Sequence, residues 1–136
     1  MTDIYLYICS TDSLDYHPQN NPNKFVIELP EIVNFNNNIW TNQWSIAITD
    51  IYIQDDIAHP LYIFCDLCEQ SIHKGELKSI LKVIYPDCIQ FSNLHYIGLK
   101  KISINQIEIY IKGGESGLEP ILSKPVYMTI HLTNKL

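Results

Sequence analysis

Cys65 and Cys68 are separated by two residues, and His73 and Cys88 follow them along the chain. That is the spacing from which a tetrahedral zinc site or a redox dithiol is built. Zinc is disfavoured because no second close ligand pair and no glycine-bearing knuckle accompany the first. In an extended strand, positions 65 and 68 also point to opposite faces. A redox pair works best at a helix N-terminus, whereas this one closes an apolar, strand-like run. The expectation is therefore ordinary half-buried thiols and no cofactor. Cys65, Cys68, His73 and Cys88 remain the one metal set worth locating.

The other reactive side chains form no recognisable constellation. His17, His59, His73, His95 and His131 make neither H-x-H nor H-E-x-x-H, and the paired histidines of metal-binding cupins are absent. His131 falls on the polar parity of the last strand, beside Tyr127 and Thr129, which suggests a surface or interface histidine. Gly113, Gly114 and Gly117 do not follow G-x-G-x-x-G, and there is no G-x-S-x-G. Asp12, Asp15, Asp55 and Asp56 lie in loop-like segments without an assignable base, and the Asp55–Asp56 pair lacks the oxygen ladder of a calcium loop. No catalytic residue is expected. Tyr5, Tyr7, Tyr52, Tyr62, Trp40 and Trp44 offer stacking surfaces, but most sit within apolar runs, which favours core or interface packing.

The elements that must position these residues are strands. Isoleucine occurs 23 times, tyrosine 9 times and alanine twice in 136 residues, a composition suited to pleated sheet and poor for helix. Eight apolar runs read as strands: Ile4 to Cys9, Lys24 to Leu29, Trp44 to Ile53, Leu61 to Cys65, Ser79 to Tyr85, His95 to Leu99, Ile104 to Lys112 and Val126 to Leu132. Pro30 is expected to end the second. The third changes phase at Asp50, which predicts a bulge or bend. Ile107, Ile109 and Ile111, and then Val126, Met128, Ile130 and Leu132, keep the period-2 pattern of half-buried strands. In GELKSILKVIY, Leu77, Ile80, Leu81 and Ile84 have helical spacing, so a short helix near 75–82 competes with a strand; the β-branched tail and Pro86 favour strand for its second half. Ile4 to Ile8 and Leu61 to Phe64 are apolar on both faces, which asks for covered outer faces, supplied by subunit contacts or by loops of the same chain.

Eight strands in one domain, 1–136, indicate an all-β, two-sheet sandwich or barrel, and a single jelly roll accounts for the whole length. Nine lysines, no arginine and fifteen acidic residues give a net charge of −6. An acidic chain without arginine is a poor nucleic-acid binder. No run of about 18 apolar residues is present, so no membrane-spanning helix is expected. The opening MTDIYLYICSTD lacks a basic region and carries Asp3 early, unlike a secretory signal, so reduced thiols are expected.

STDSLDYHPQNNPNKFVIELPEIV followed by WSIAITDIYI resembles the opening of short proteins of Polinton/Maverick elements and adintovirus-like DNA viruses. PLYIFCDLCEQSIHKGELKSILKVI, then HYIGL, INQIEIYIKGGESG and VYMTIHL, continue that likeness in order across nearly the whole chain. Lys82 stands where the family pattern has arginine, and the pattern's final arginine is missing. The resemblance implies a viral structural protein: a minor capsid protein of penton type, without enzymatic activity. Its implied partners are further copies of itself in a pentamer and the major capsid protein; charge and hydropathy separately lead to the expectation of no nucleic acid and no membrane. Its implied place is the capsid of a virion assembled inside the host cell. The chain is too short for the double jelly roll of a major capsid protein. Two rival readings follow from the residues: a capsid-surface sandwich for host attachment or capsid cementing, marked by an exposed aromatic shelf, and a cupin-like metalloenzyme, marked by converging histidines and carboxylates.

Overall fold

The structure, a computed structural model, describes residues 2–34, 43–57, 59–73, 75–85, 94–99, 103–113 and 122–135. Among them there is no helix. The strands are β1 (Thr2–Cys9), β2 (Lys24–Asn34), β3 (Gln43–Ile53), β4 (Leu61–Cys65), β5 (Ser71–His73), β6 (Glu76–Lys78), β7 (Ile80–Ile84), β8 (Ile97–Gly98), β9 (Ser103–Gly113) and β10 (Val126–Lys135). Eight form a two-sheet sandwich, one sheet in the order β1-β10-β3-β8 and the other β2-β9-β4-β7, while β5 and β6 make a separate hairpin. Every ladder is antiparallel. The pairings nest: β1 with β10, β2 with β9, β3 with β8 and β4 with β7.

Period-2 alternation sets the core. Phe25 and Ile27 of β2, Trp44, Ile46 and Ile48 of β3, Ile107, Ile109 and Ile111 of β9, and Val126, Met128, Ile130 and Leu132 of β10 are all buried between the sheets. Leu61, Ile63 and Cys65 add β4 to the same cluster. Burying such a side chain contributes roughly 1.5–3 kcal/mol, so these rows dominate the stability.

Two irregularities follow from the sequence. Thr129 pairs with Asp50 but Ile130 pairs with Ile48, so Thr49 is the extra residue of a bulge where the apolar phase of β3 changes. Pro30 does not end β2 as expected. The strand runs on to Asn34, and its ladder to β9 slips between Glu28 and Val33, with the proline inside the slip. A residue without an amide hydrogen is tolerated where the ladder is already broken.

The short helix that competes with a strand near 75–82 is absent, and β6 and β7 stand there. A helix would have buried Leu77 with Ile80, Leu81 and Ile84, yet Leu77 is 63% exposed while the other three are buried. Gly75, at φ +79°, turns β5 into β6, and β7 pairs with β4 from Leu61↔Ile84 to Phe64↔Ile80. The pairing demand of β4 outweighs helical spacing.

The segment between β1 and β2 folds against the outer edge of β2. Asn20 donates from Nδ2 to the Val26 carbonyl at 2.8 Å and accepts the Val26 amide at Oδ1 at 2.9 Å. Ser13 Oγ accepts the Glu28 amide at 2.8 Å, and His17 Nε2 meets Glu28 Oε1 at 2.6 Å. Side chains thus occupy backbone groups that a further strand would otherwise use.

Candidate functional site: the outer face of the β1-β10-β3-β8 sheet

β10 is flanked by β1 and β3, so its outward residues Tyr127, Thr129, His131 and Thr133 form the middle row of this face. His131 is only 8% exposed. Tyr5, its cross-strand partner, stacks on the imidazole with centroids 4.4 Å apart and planes 5° from parallel. Nε2 lies 2.9 Å from Asp3 Oδ1, and Nδ1 lies 2.9 Å from the Tyr96 hydroxyl. Thr133 donates to the same Asp3 oxygen at 2.7 Å. Burial, followed by the nearby Tyr5 and Asp3, raises the Tyr96 pKa and keeps that phenol a donor. A neutral imidazole then carries its hydrogen on Nε2, given to Asp3, and accepts Tyr96 O–H at Nδ1. The group is fully hydrogen-bonded and cross-links β1, β10 and the segment entering β8.

Nearer the other end of the sheet lies an open depression of about 350 Å³ lined by Tyr7, Cys9, Asp12, Asp50, Tyr52 and Tyr127, among others. Thr129 donates to Asp50 Oδ1 at 3.0 Å, which orients that exposed carboxylate. Tyr52 and Tyr127 are cross-strand partners with centroids 6.4 Å apart. Both are exposed, and Tyr7 is 77% exposed. Electrostatic repulsion from Cys9, together with a hydrogen bond to it, raises the Tyr127 phenol above its ordinary value. Asp12 Oδ2 accepts the Cys9 amide at 2.8 Å, capping β1. The result is an aromatic shelf with exposed carboxylates beside it.

The opposite face of the sandwich covers itself. Phe64 and Tyr110 meet edge to face at 6.2 Å, and Lys112 lies over both rings, at 5.9 Å and 5.1 Å. Lys24 lies 5.4 Å from the Tyr110 centroid and 3.8 Å from Glu108. These cation–π contacts and the lysine stems shield β4, whose outer residues Tyr62 and Phe64 are half-buried. The two doubly apolar runs therefore differ: β4 is covered by its own chain, whereas β1 leaves Tyr5 and Tyr7 exposed.

The cysteine set does not behave as strand geometry suggested. The chain turns after Cys65, so Cys65 and Cys68 both point into the core rather than to opposite faces. Cys68 donates its thiol to the Cys65 carbonyl at 3.4 Å and bridges to Leu99. Burial pushes the Cys65 thiol far above its ordinary value, which suits a small core residue. The His73 side chain and Cys88 lie outside the described residues, as do Trp40 and Gly114. Among the described residues no three His, Cys, Asp or Glu side chains are grouped to hold a metal ion. Asp55 serves as a clamp: it accepts Ser123 Oγ at 2.9 Å and the amides of Ser123 and Lys124 at 3.2 Å and 3.1 Å. Those bonds, the Lys124 amide first, lower its pKa.

The sequence placed His131 on the solvent-side parity of β10. The structure keeps that parity but buries the ring beneath Tyr5 and beside Tyr96. The partners Asp3 and Tyr96 are remote in sequence, and only the β1–β10 register brings Asp3 close. No family model, curated protein sequence or solved structure matches the chain. No helix among the described residues is long and apolar enough to cross a membrane.

Proposed function

We propose that this chain is a viral structural protein, a minor capsid protein of penton type that works by self-assembly and by contact with a major capsid protein, without chemistry of its own. The nested pairing of β1 with β10, β2 with β9, β3 with β8 and β4 with β7 carries the reading. A long antiparallel hairpin rolled into two sheets in this way supports a jelly roll, an architecture used by viral capsid proteins. The resemblance to virion proteins of Polinton/Maverick elements and adintovirus-like viruses points the same way. Exposed tyrosines on one face suit subunit contact. The acidic charge favours contact with protein over packaged nucleic acid.

Size-exclusion chromatography with light scattering tests this directly. Assembly into closed oligomers, pentamers above all, is expected. A strictly monomeric particle at every salt concentration and pH would sink the self-assembling reading.

The aromatic shelf favours a second reading, a surface sandwich that attaches to a host glycan by stacking, since lectins share the architecture. Saturation-transfer NMR against a glycan panel decides it: signal lost in Tyr52→Ala supports attachment, and absence of any signal removes it.

A further inference from the structure

We infer that neighbouring copies join head to tail, the open edge of β1 on one copy receiving the β5–β6 hairpin of the next. This rests on the self-assembly reading and names its contact.

The receiving side is an uncovered strand edge. The Ser10 amide donates to the Val126 carbonyl of β10, while the Cys9 amide turns away to Asp12. Backbone groups alternate sides along a strand, so Tyr5 and Tyr7 present their N–H and C=O groups outwards, like Cys9. Nothing among the described residues pairs with them there. Tyr7 also walls the depression that Asp12 and Asp50 line. Residues 3–16 include three aspartates and no lysine.

The inserted side is of opposite character. Ile72 and Leu77 face each other across the hairpin and are 77% and 63% exposed, an apolar pair with no cover from its own sheet. The hairpin, residues 71–78, carries Lys74 and Lys78 against Glu76, which pairs with Lys78 at 3.5 Å and leaves one net positive charge. An acidic aromatic edge and an apolar hairpin of net positive charge are complementary, and the strands of the hairpin can extend the sheet by pairing along β1. Two β1 edges placed together would instead oppose their own aspartates.

The placement of the two surfaces sets the symmetry. β1 and β2 are the first strands of the two sheets, and β7 and β8 the last. The hairpin sits by β7 and β8, where Ile72, Ile80, His95 and Ile97 line a shared hollow. With the surfaces on opposite edges, one neighbour can satisfy only one of them, and the other awaits a third copy. Such a heterologous contact builds rings or filaments, not two-fold dimers.

Two variants test this, Tyr7→Lys for the edge and Ile72→Asp/Leu77→Asp for the hairpin, each checked for folding by circular dichroism and thermal melting. Tyr7→Thr replaces Tyr7→Lys if the latter melts early. Each variant alone is expected to lose assembly, with association weakened on the order of tenfold or more. An equal mixture keeps one intact edge and one intact hairpin, so it is expected to form a dimer that grows no further. Light scattering reads all three samples. A variant that assembles like the wild type, or a mixture that stays monomeric, overturns the contact and leaves self-assembly standing. Assembly of the hairpin variant alone, with Tyr7→Lys inactive, overturns it in favour of edge-to-edge pairing. A wild-type chain monomeric under all conditions overturns both this contact and the self-assembly reading.

Discussion

β1 and β2 lie on the same side of the sandwich, each outermost in its sheet, and they end their sheets differently. At β2, Asn20 imitates a strand by satisfying both backbone groups of Val26, and Ser13 takes the Glu28 amide. At β1, among the described residues, only Cys9 is capped, by Asp12, and none pairs with the edge beside Tyr5 and Tyr7. An uncovered strand edge invites pairing with another chain, and proteins commonly block such edges. Among the described residues, then, one edge is blocked by side chains and its neighbour is not.

Asn20→Ala should blur the contrast most. It removes two bonds to Val26 and is expected to cost about 2–3 kcal/mol in urea unfolding. It should also produce aggregation by a second route, seen as scattering that Tyr7→Lys does not suppress. Unchanged scattering would mean the edge of β2 is protected by something other than Asn20.

Asp3→Ala acts on the other strand. It strips an acceptor from both His131 and Thr133, with an expected cost of about 2 kcal/mol. Hydrogen exchange should accelerate along β1 while β2 keeps its protection. Equal acceleration in both would show that the edges are not independent.

Ser13 sharpens the account of β2. It holds φ at 61°, a left-handed conformation that costs a residue with a side chain about 1 kcal/mol. Ser13→Ala keeps that cost and loses the bond to Glu28, for about 1 kcal/mol of destabilisation. Ser13→Gly loses the bond but relieves the backbone, so its melting temperature should lie near that of the wild type.

Asp55 bonds to Ser123 and Lys124 rather than to either edge strand and gives the smallest effect. Its folded pKa lies below the ordinary 3.8. Its contribution is therefore fully present above the ordinary value and is lost as pH falls through the lower folded value. Asp55→Asn should flatten the acid limb of the stability curve below about pH 5 and leave assembly at neutral pH unchanged. An identical acid limb in both proteins would assign the acid sensitivity elsewhere.

The sandwich was legible because its signals are local. Alternation in Ile107–Ile111 and Val126–Leu132 marks buried rows, and the phase change at Asp50 marks the bulge. The β5–β6 hairpin escaped because each of its strands spans three residues, too few for a period to register, and because Leu77 mimics a helical stripe with Ile80 and Ile84. The clamp on His131 escaped for another reason. It depends on the register between residues 3 and 133, which no local pattern encodes. The turn that points both Cys65 and Cys68 inward likewise depends on the bridge to Leu99.

The central position of β10 also governs when the fold can form. β1 and β3 both hydrogen-bond to β10, and β3 ends at Ile53 while β10 starts at Val126. During synthesis the first strand and the third emerge from the ribosome long before the strand that joins them. Until then their apolar rows and open edges wait in solution. Contacts this distant in sequence slow folding and prolong that exposure. A sheet joined through β10 cannot be finished before residues 126–135 are made, so β1 keeps both of its edges open until that point and, among the described residues, one of them afterwards.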